Sequence, residues 1–260
     1  MAVPVTHNMK YRYLGNSGLL VSRLSFGSFV TFDSHFDINQ AYDIMVKAYQ
    51  GGYGWGKSEQ VMGEVIQRGI KNGVWTREDL VVSTKIFMGT KSMDAGPNDM
   101  GLSRKHIIEG TKASLKRFGF DYVDYKYGLT TWSPLAFGIL TGKYSNGIPE
   151  GTRLTNVMVT GMMQTNLDER IAKTDKLKEI ADELDCSLAQ LAIAWCASNT
   201  NVSTVIIGAS SIRQLEENLK ANEVIDKITP EIKARIDEIA QFVPKVVEND
   251  PYSYARTKWL

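Results

Sequence analysis

Two side chains stand out as candidates for proton chemistry. Tyr53 sits in the run Gly51-Gly52-Tyr53-Gly54-Trp55-Gly56, just ahead of the candidate helix cap Ser58. Such a loop can present a phenol to a cleft, and it can equally be a surface turn with aromatic anchors. Lys85 follows Val81-Val82-Ser83-Thr84 near the end of an apolar, β-branched run over residues 80–87. A lysine in a buried strand is costly unless it is paired or functional. The C-terminal ends of strands form the active-site face of parallel α/β folds. A lysine snorkelling out of a sheet edge would look the same in sequence.

A second group suits a phosphorylated, flat ligand. In TTWSPLAFG, residues 130–138, Trp132 can stack on a heterocycle while Ser133 and the following backbone meet phosphates. A strand end with a buried Trp and a turn is the plainer alternative. Lys143 and Arg153 follow in the next loop, where cations suit phosphate but also serve solubility alone. Gly208-Ala209-Ser210 leads from a buried-type strand into a helix bearing Gln214, Glu217 and Asn218. Backbone N–H groups at such a helix start can hold an anion without a Rossmann signature, and no GxGxxG follows any strand. His7, His35 and His106 do not cluster, and Cys186 and Cys196 lack a CxxC partner. A metal site and a disulfide framework are therefore not expected.

The elements that must position these groups alternate. Short apolar runs at residues 21–30, 80–87 and 204–208 read as strands, and residues 121–135 read as extended. Helices are expected over residues 38–50 with Asp37 as N-cap, from Ser58 onward, and after Ser103. Further helices are expected over residues 168–184, 188–196 capped by Ser187, 212–221, and from Thr229-Pro230 to residue 241. Strands separated by helices of this length predict βαβ units, a parallel sheet and one domain over residues 1–260.

Composition bounds the function. In 260 residues, 30 Lys plus Arg balance 29 Asp plus Glu, which disfavours a nucleic-acid-coating role. No apolar stretch reaches the roughly 18 residues of a membrane span, and residues 1–15 lack an apolar signal core. A cytoplasmic protein is expected.

Two places break the alternation. Only GGYGWGK separates the helix ending near residue 50 from the next one, which leaves no room for a strand. Residues 121–135 are too long for one strand and read as two fragments abutted after Asp124. Both seams predict that segments are missing, at 52/53 and at 124/125.

YGWGKSEQVMGE, VVSTKIF, GLSRKHIIEGTKASLKRFGFDYVD, TTWSPLAFGILTGKYSNGIPEGTR, LAQLAIAWC and VIIGASSIRQLEENL together resemble the aldo-keto reductases. The resemblance is closest to the branch containing the beta subunits of voltage-gated potassium channels, and it runs from about residue 9 to residue 239. It implies a (β/α)8 TIM barrel that binds NADP(H) and reduces aldehydes and ketones by hydride transfer. By motif, Tyr53 matches the catalytic acid and Lys85 the lysine that lowers its pKa. Ser28 falls in the cofactor site and Phe29 in the substrate pocket, where related channel subunits often carry Thr-Trp. Trp132, Ser133, Pro134, Leu135, Ala136 and Gly138, with Lys143 and Arg153, resemble the stretch around the nicotinamide side and the pyrophosphate. Gly208, Ser210, Gln214, Glu217 and Asn218 resemble the site for the adenosine and its 2′-phosphate.

The resemblance also sharpens the seams. The family's Asp before the catalytic Tyr is replaced by Gly51-Gly52, and the functional residues after its fourth, fifth and sixth strands have no counterparts. Comparison with the family pattern predicts ~10 residues missing at the first seam and on the order of 90 at the second, for a barrel of usual size. Three functions are then in play: a carbonyl reductase, an NADP(H)-binding subunit that docks on the cytoplasmic domain of an ion channel with little turnover, and a truncated inactive product. A homotetramer is compatible with the first two.

Overall fold

The computed structural model describes residues 8–15, 19–27, 39, 41–44, 59–86, 103–124, 129–155 and 166–241. Strand β1 (Tyr11–Tyr13) pairs antiparallel with β2 (Leu20–Ser22), so that Tyr13 faces Leu20. Strand β3 (Leu24–Phe26) follows at once, but belongs to a different sheet. The single strand expected over residues 21–30 is thus two strands with a bend at Arg23. The Arg23 carbonyl accepts from the N–H of Val205, which commits the chain to a new neighbour at that residue. An apolar run does not reveal a change of partner, because both strands bury a face.

The second sheet is parallel and has the order β3-β5-β4, with β4 at Leu129–Trp132 and β5 at Val202–Ile207. Leu24 lies opposite Val205 on one side, and Thr131 lies opposite Val205 on the other. The register slips once, between Leu129 and Thr130. Pairing of an early strand with the last of the described strands is the kind of contact by which a barrel closes. Among the described residues, however, these three strands do not close into the expected eight-stranded barrel.

Residues 80–87 are the second departure. Among the described residues 80–86 the bridge is at Val82: its carbonyl accepts from the N–H of Asp124 at 2.7 Å, and its own N–H donates to Asp124 Oδ2 at 2.8 Å. A strand needs a continuous backbone partner. Here a side chain takes one of the ladder's places.

The helices follow the local signals more closely. Helix α1 (Glu59–Lys71) begins one residue after Ser58, and α2 (Arg104–Phe118) is capped by Ser103, whose Oγ accepts from His106 N–H at 3.1 Å. Residues 39 and 41–44 are helical within the stretch expected over 38–50; its cap Asp37 and both seam junctions lie outside the described residues. The helix expected over 168–184 is two, α3 (Leu167–Lys176) and α4 (Lys178–Glu183). Thr174 Oγ1 donates to the Arg170 carbonyl at 2.9 Å, a back-bond that bends helices, and the break follows three residues later.

Helix α5 (Leu188–Ser198) packs on β5 and buries Leu191, Ile193, Ala194 and Ala197. Its start is a capping box: Ser187 Oγ accepts from Gln190 N–H at 3.2 Å, and Gln190 Oε1 accepts from Ser187 N–H at 3.0 Å. Ser187→Ala removes one bond and loosens the other. We expect it to cost about 1 kcal/mol, read as a lower urea midpoint with unchanged slope. An unchanged midpoint would show that the cap contributes nothing.

Helices α6 (Ile212–Leu219), α7 (Ala221–Val224) and α8 (Pro230–Ala240) complete the described chain, with Thr229 Oγ1 capping α8. The main core joins Leu24, Phe26, Val205 and Ile207 of the sheet to Met62, Val65 and Ile66 of α1 and to Leu191, Ile193 and Ala194 of α5. No helix among the described residues is long and apolar enough to cross a membrane.

Candidate active site

Because β3, β5 and β4 run parallel, their C-terminal ends share one rim. Gly27, Gly208 and Ser133 lie there in that order, directly after Phe26, Ile207 and Trp132. Gly27 extends the ladder by donating to the Ile207 carbonyl at 2.7 Å. A Cβ there would come within 2.5 Å of Ile206 Cγ2, so the strands meet closely at this point. Trp132 is 65% exposed at the rim, as an aromatic platform must be and as a buried core Trp is not.

Beyond Trp132 the chain is bent hard. Ser133 (φ 54°), Ala136 (φ 45°) and Phe137 (φ 57°) are non-glycine residues in the left-handed region, and Gly138 follows at φ 99°. Such conformations are uncommon and cost roughly 1–3 kcal/mol each, so they persist only where the surroundings impose them. A second small core supplies the restraint: Ile139, Tyr144 and Leu154 are buried together. Tyr144 donates its hydroxyl to the Phe137 carbonyl at 3.2 Å. Lys143 lies against Gly138, where a Cβ would meet its Nζ at 2.8 Å, and its ammonium stands 4.9 Å from the Tyr144 ring centre. Arg153 is exposed in the short helical turn Arg153–Thr155. Leu135 and Pro134 complete the turn, with the Leu135 carbonyl accepting from Gly138 N–H at 2.8 Å.

After β5, Ser210 donates from both its backbone N–H (2.9 Å) and its Oγ (2.6 Å) to Gln214 Oε1. With its oxygen engaged by Ser210, the Gln214 carboxamide has its nitrogen, a donor, as its remaining polar atom. The helix cap is Ser211, which accepts from Gln214 N–H at 3.2 Å. Asn218 is buried and donates to the Gly208 carbonyl at 3.5 Å, holding the turn. Glu217 is engaged elsewhere: it pairs with Lys220 at 2.8 Å and accepts from Gln190 Nε2 at 3.3 Å. Its carboxyl is held below the usual range, first by the hydrogen bond from Lys220.

Lys85 is exposed and stands three residues beyond Val82, outside the three-stranded sheet. The premise of a lysine in a buried strand is therefore corrected: among the described residues, Lys85 belongs to a segment that is not assigned as strand and whose bridge is at Val82. Tyr53, Ser28 and Phe29 lie outside the described residues. Burial disfavours the thiolate form of both cysteines: it pushes Cys196 up to about 11 and also raises Cys186.

What sequence reasoning missed is Gly27 and the run of strained residues after Trp132. A glycine directly after an apolar run was a readable signal for the first. No local signal marks the second, since Ser, Ala and Phe do not favour left-handed backbone.

Comparison with known proteins bears on this rim directly. The aldo/keto reductase family model matches residues 27–128 and 126–241, starting at the rim glycine and breaking near the second seam. A probable voltage-gated potassium channel subunit beta of Arabidopsis thaliana is 37% identical over 334 residues, covering 93% of this chain and 99% of that protein. A rice protein (Oryza sativa subsp. japonica) of the same description is 35% identical with the same coverage. A putative subunit of this kind from Schizosaccharomyces pombe is 33% identical over 347 residues, covering 95% of this chain and 99% of its own length. These alignments are longer than the 260-residue chain itself, so the relatives carry residues with no counterpart here. With the family matched on both sides of the break and its relatives covered almost end to end, the chain belongs to the aldo/keto reductase family.

Proposed function

We propose that this protein is an NADP(H)-dependent reductase of small aldehydes and ketones, working from the rim formed by β3, β5 and β4. The observation that carries the reading is that rim: three parallel strand ends, an exposed Trp132, a strained turn and an oriented Gln214 lie side by side. The residues present fit a dinucleotide. Trp132 would face a flat ring, Ser133 to Gly138 would wrap the nicotinamide side, and Lys143 and Arg153 would neutralise phosphate. Ser210 and Gln214, with Gly208 and Asn218 shaping the turn, would receive the adenosine end. When bound, NADPH supplies the hydride. The chain's own part is to orient the carbonyl and to deliver a proton to its oxygen. Tyr53 donates that proton, and the Lys85 ammonium lowers the phenol's pKa so that it is a competent acid near neutrality.

The same reading takes residues 1–260 as one barrel-type domain in the cytoplasm. It places the residues that relatives carry and this chain lacks at 52/53 and 124/125. The break in the family match at residues 126–128 supports the second position. A second reading, an NADP(H)-binding channel subunit with little turnover, is favoured by what the relatives are called. NADPH oxidation with a panel of aldehydes tests the first. Tight NADPH binding without turnover, together with capture of a channel cytoplasmic domain, would favour the second.

NADPH should bind more tightly than NADH by about tenfold or more, since a hydrogen bond to a charged group is worth roughly 1.5–3 kcal/mol. Ser210, Gln214 and the nearby cations are the groups that can meet a 2′-phosphate. Added salt should narrow the gap, because Lys143 and Arg153 are exposed and screened. Equal dissociation constants at low salt, by fluorescence titration, would overturn the assignment.

A further inference from the structure

Lys85 itself is exposed, yet both of its neighbours in the chain are gripped by different helices. On one side, Thr84 Oγ1 donates to Glu59 Oε1 at the start of α1. Glu59 is held in turn: its other oxygen accepts from Arg117 Nε of α2, and its side chain is only 11% exposed. Arg117 Nη2 donates to Ser114 Oγ at 3.1 Å. On the other side, the Ile86 carbonyl lies 2.7 Å from Nε2 of His106, which is 6% exposed on α2. A carbonyl only accepts, so Nε2 carries the proton. Gly110, one turn beyond His106, leaves room for Ile86: a Cβ there would stand 2.8 Å from Ile86 Cγ2.

We infer that Thr84 and His106 are positioning residues that aim the Lys85 ammonium, with Glu59 as the anchor that holds Thr84. One side-chain bond at residue 84 and one backbone bond at residue 86 restrain the chain on both sides of residue 85, and with it the direction of its Cα–Cβ bond. Ordering the ammonium then requires fixing side-chain torsions and not the backbone as well. Among the described residues, the charged or titratable groups against the segment are Glu59 of α1, His106 and Arg117 of α2, Asp124 beside Val82, and Arg77, which donates to the Leu80 carbonyl and pairs with Asp124. This inference rests on the reading of Lys85 as the partner of the catalytic phenol.

The test is the pH profile of kcat for carbonyl reduction, measured on the whole chain for wild type, Lys85→Met, Thr84→Val, Thr84→Ser and His106→Leu, with melting temperatures alongside. Reduction uses the protonated phenol, so its rate falls as pH rises through the phenol's pKa. An ammonium held in place keeps that pKa low, and a displaced one lets the alkaline limb move to higher pH. Thr84→Val deletes only the donor, and valine suits an extended segment. It should lower kcat near neutrality about five- to tenfold, a fraction of the 10²- to 10⁴-fold worth of a general acid. It should move the alkaline limb in the direction Lys85→Met moves it and leave KM unchanged. Thr84→Ser should restore the wild-type profile, and His106→Leu should behave like Thr84→Val. A lower melting temperature with kcat and the limb at wild-type values would overturn the inference, as would failure of serine to rescue. If wild type is silent, or if Lys85→Met leaves the limb where wild type has it, the underlying reading fails first, and the two failures are told apart by those two proteins.

Discussion

Tyr53→Phe is expected to lower kcat for carbonyl reduction by roughly 10²- to 10⁴-fold, the usual worth of a general acid. The substitution keeps an aromatic ring of nearly the same size and deletes the group that can give up a proton. Hydride addition leaves negative charge on the carbonyl oxygen, and without the phenol only water can neutralise it. NADPH affinity should change little, since Tyr53 is not among the groups assigned to phosphate. Lys85→Met should also slow turnover, by raising the phenol's pKa instead of removing its proton. The double variant should then be hardly slower than Tyr53→Phe alone, because both changes act through one proton transfer. A rate for Tyr53→Phe within about a factor of two of wild type would remove Tyr53 from the acid's role. Additive losses would separate Lys85 from it.

Gly63→Ala is expected to destabilise the fold by about 3 kcal/mol or more, although alanine normally improves a helix interior by roughly 0.5–1 kcal/mol. Gly63 is where α1 crosses the end of α2. A Cβ there would stand 2.2 Å from the Phe118 carbonyl oxygen, 2.7 Å from its carbon and 2.8 Å from its Cα. These are backbone atoms, and they cannot swing aside as a lysine tip can. Phe118 is itself 1% exposed and stacks on Phe120 with ring centres 5.5 Å apart. The Phe118 and Gly119 carbonyls also accept from Gln67 of α1 at 3.4 and 3.1 Å, so separating the helices strains these bonds as well. Overpacking of this kind commonly costs 1–3 kcal/mol, and a backbone contact belongs at or above the top of that range. The melting temperature should fall by about 6–12 °C for a chain of this size. Exposed Glu64, the next residue, provides the control: Glu64→Ala should stay within about 0.5 kcal/mol of wild type. A Gly63→Ala protein as stable as wild type would mean that the two helices do not meet so closely.

The candidate site was legible in proportion to how local its parts are. Gly208, Ser210 and Gln214 lie within seven residues, and their grouping at a strand-to-helix turn could be read directly. The internal bond from Ser210 to Gln214 Oε1 could not, because it depends on a rotamer. Glu217 shares that helix but turns to Lys220 and to Gln190 of α5, partners that only packing brings near. The supports of Lys85 are more distant still, with Glu59 and Arg117 separated by 58 positions in the chain.

The sequence by itself determined the family, the helix starts and the strand-end motifs. Ser103, Ser187 and Thr229 cap their helices as expected, because a cap is a hydrogen bond to a backbone N–H three residues away. Residue order alone sets such a contact. Tertiary structure decided that the chain changes sheets at Arg23, that the described residues 80–86 carry a bridge at Val82 and no assigned strand, and that the early strand β3 lies beside β5, the last of the described strands. It also imposed left-handed backbone on Ser133, Ala136 and Phe137. The physical reason is common to all four. A strand finds its hydrogen-bond partners in another segment, and a strained turn persists only where packing imposes it, so in each case the conformation is chosen by what packs against the run, and an apolar run suits several such neighbours equally well.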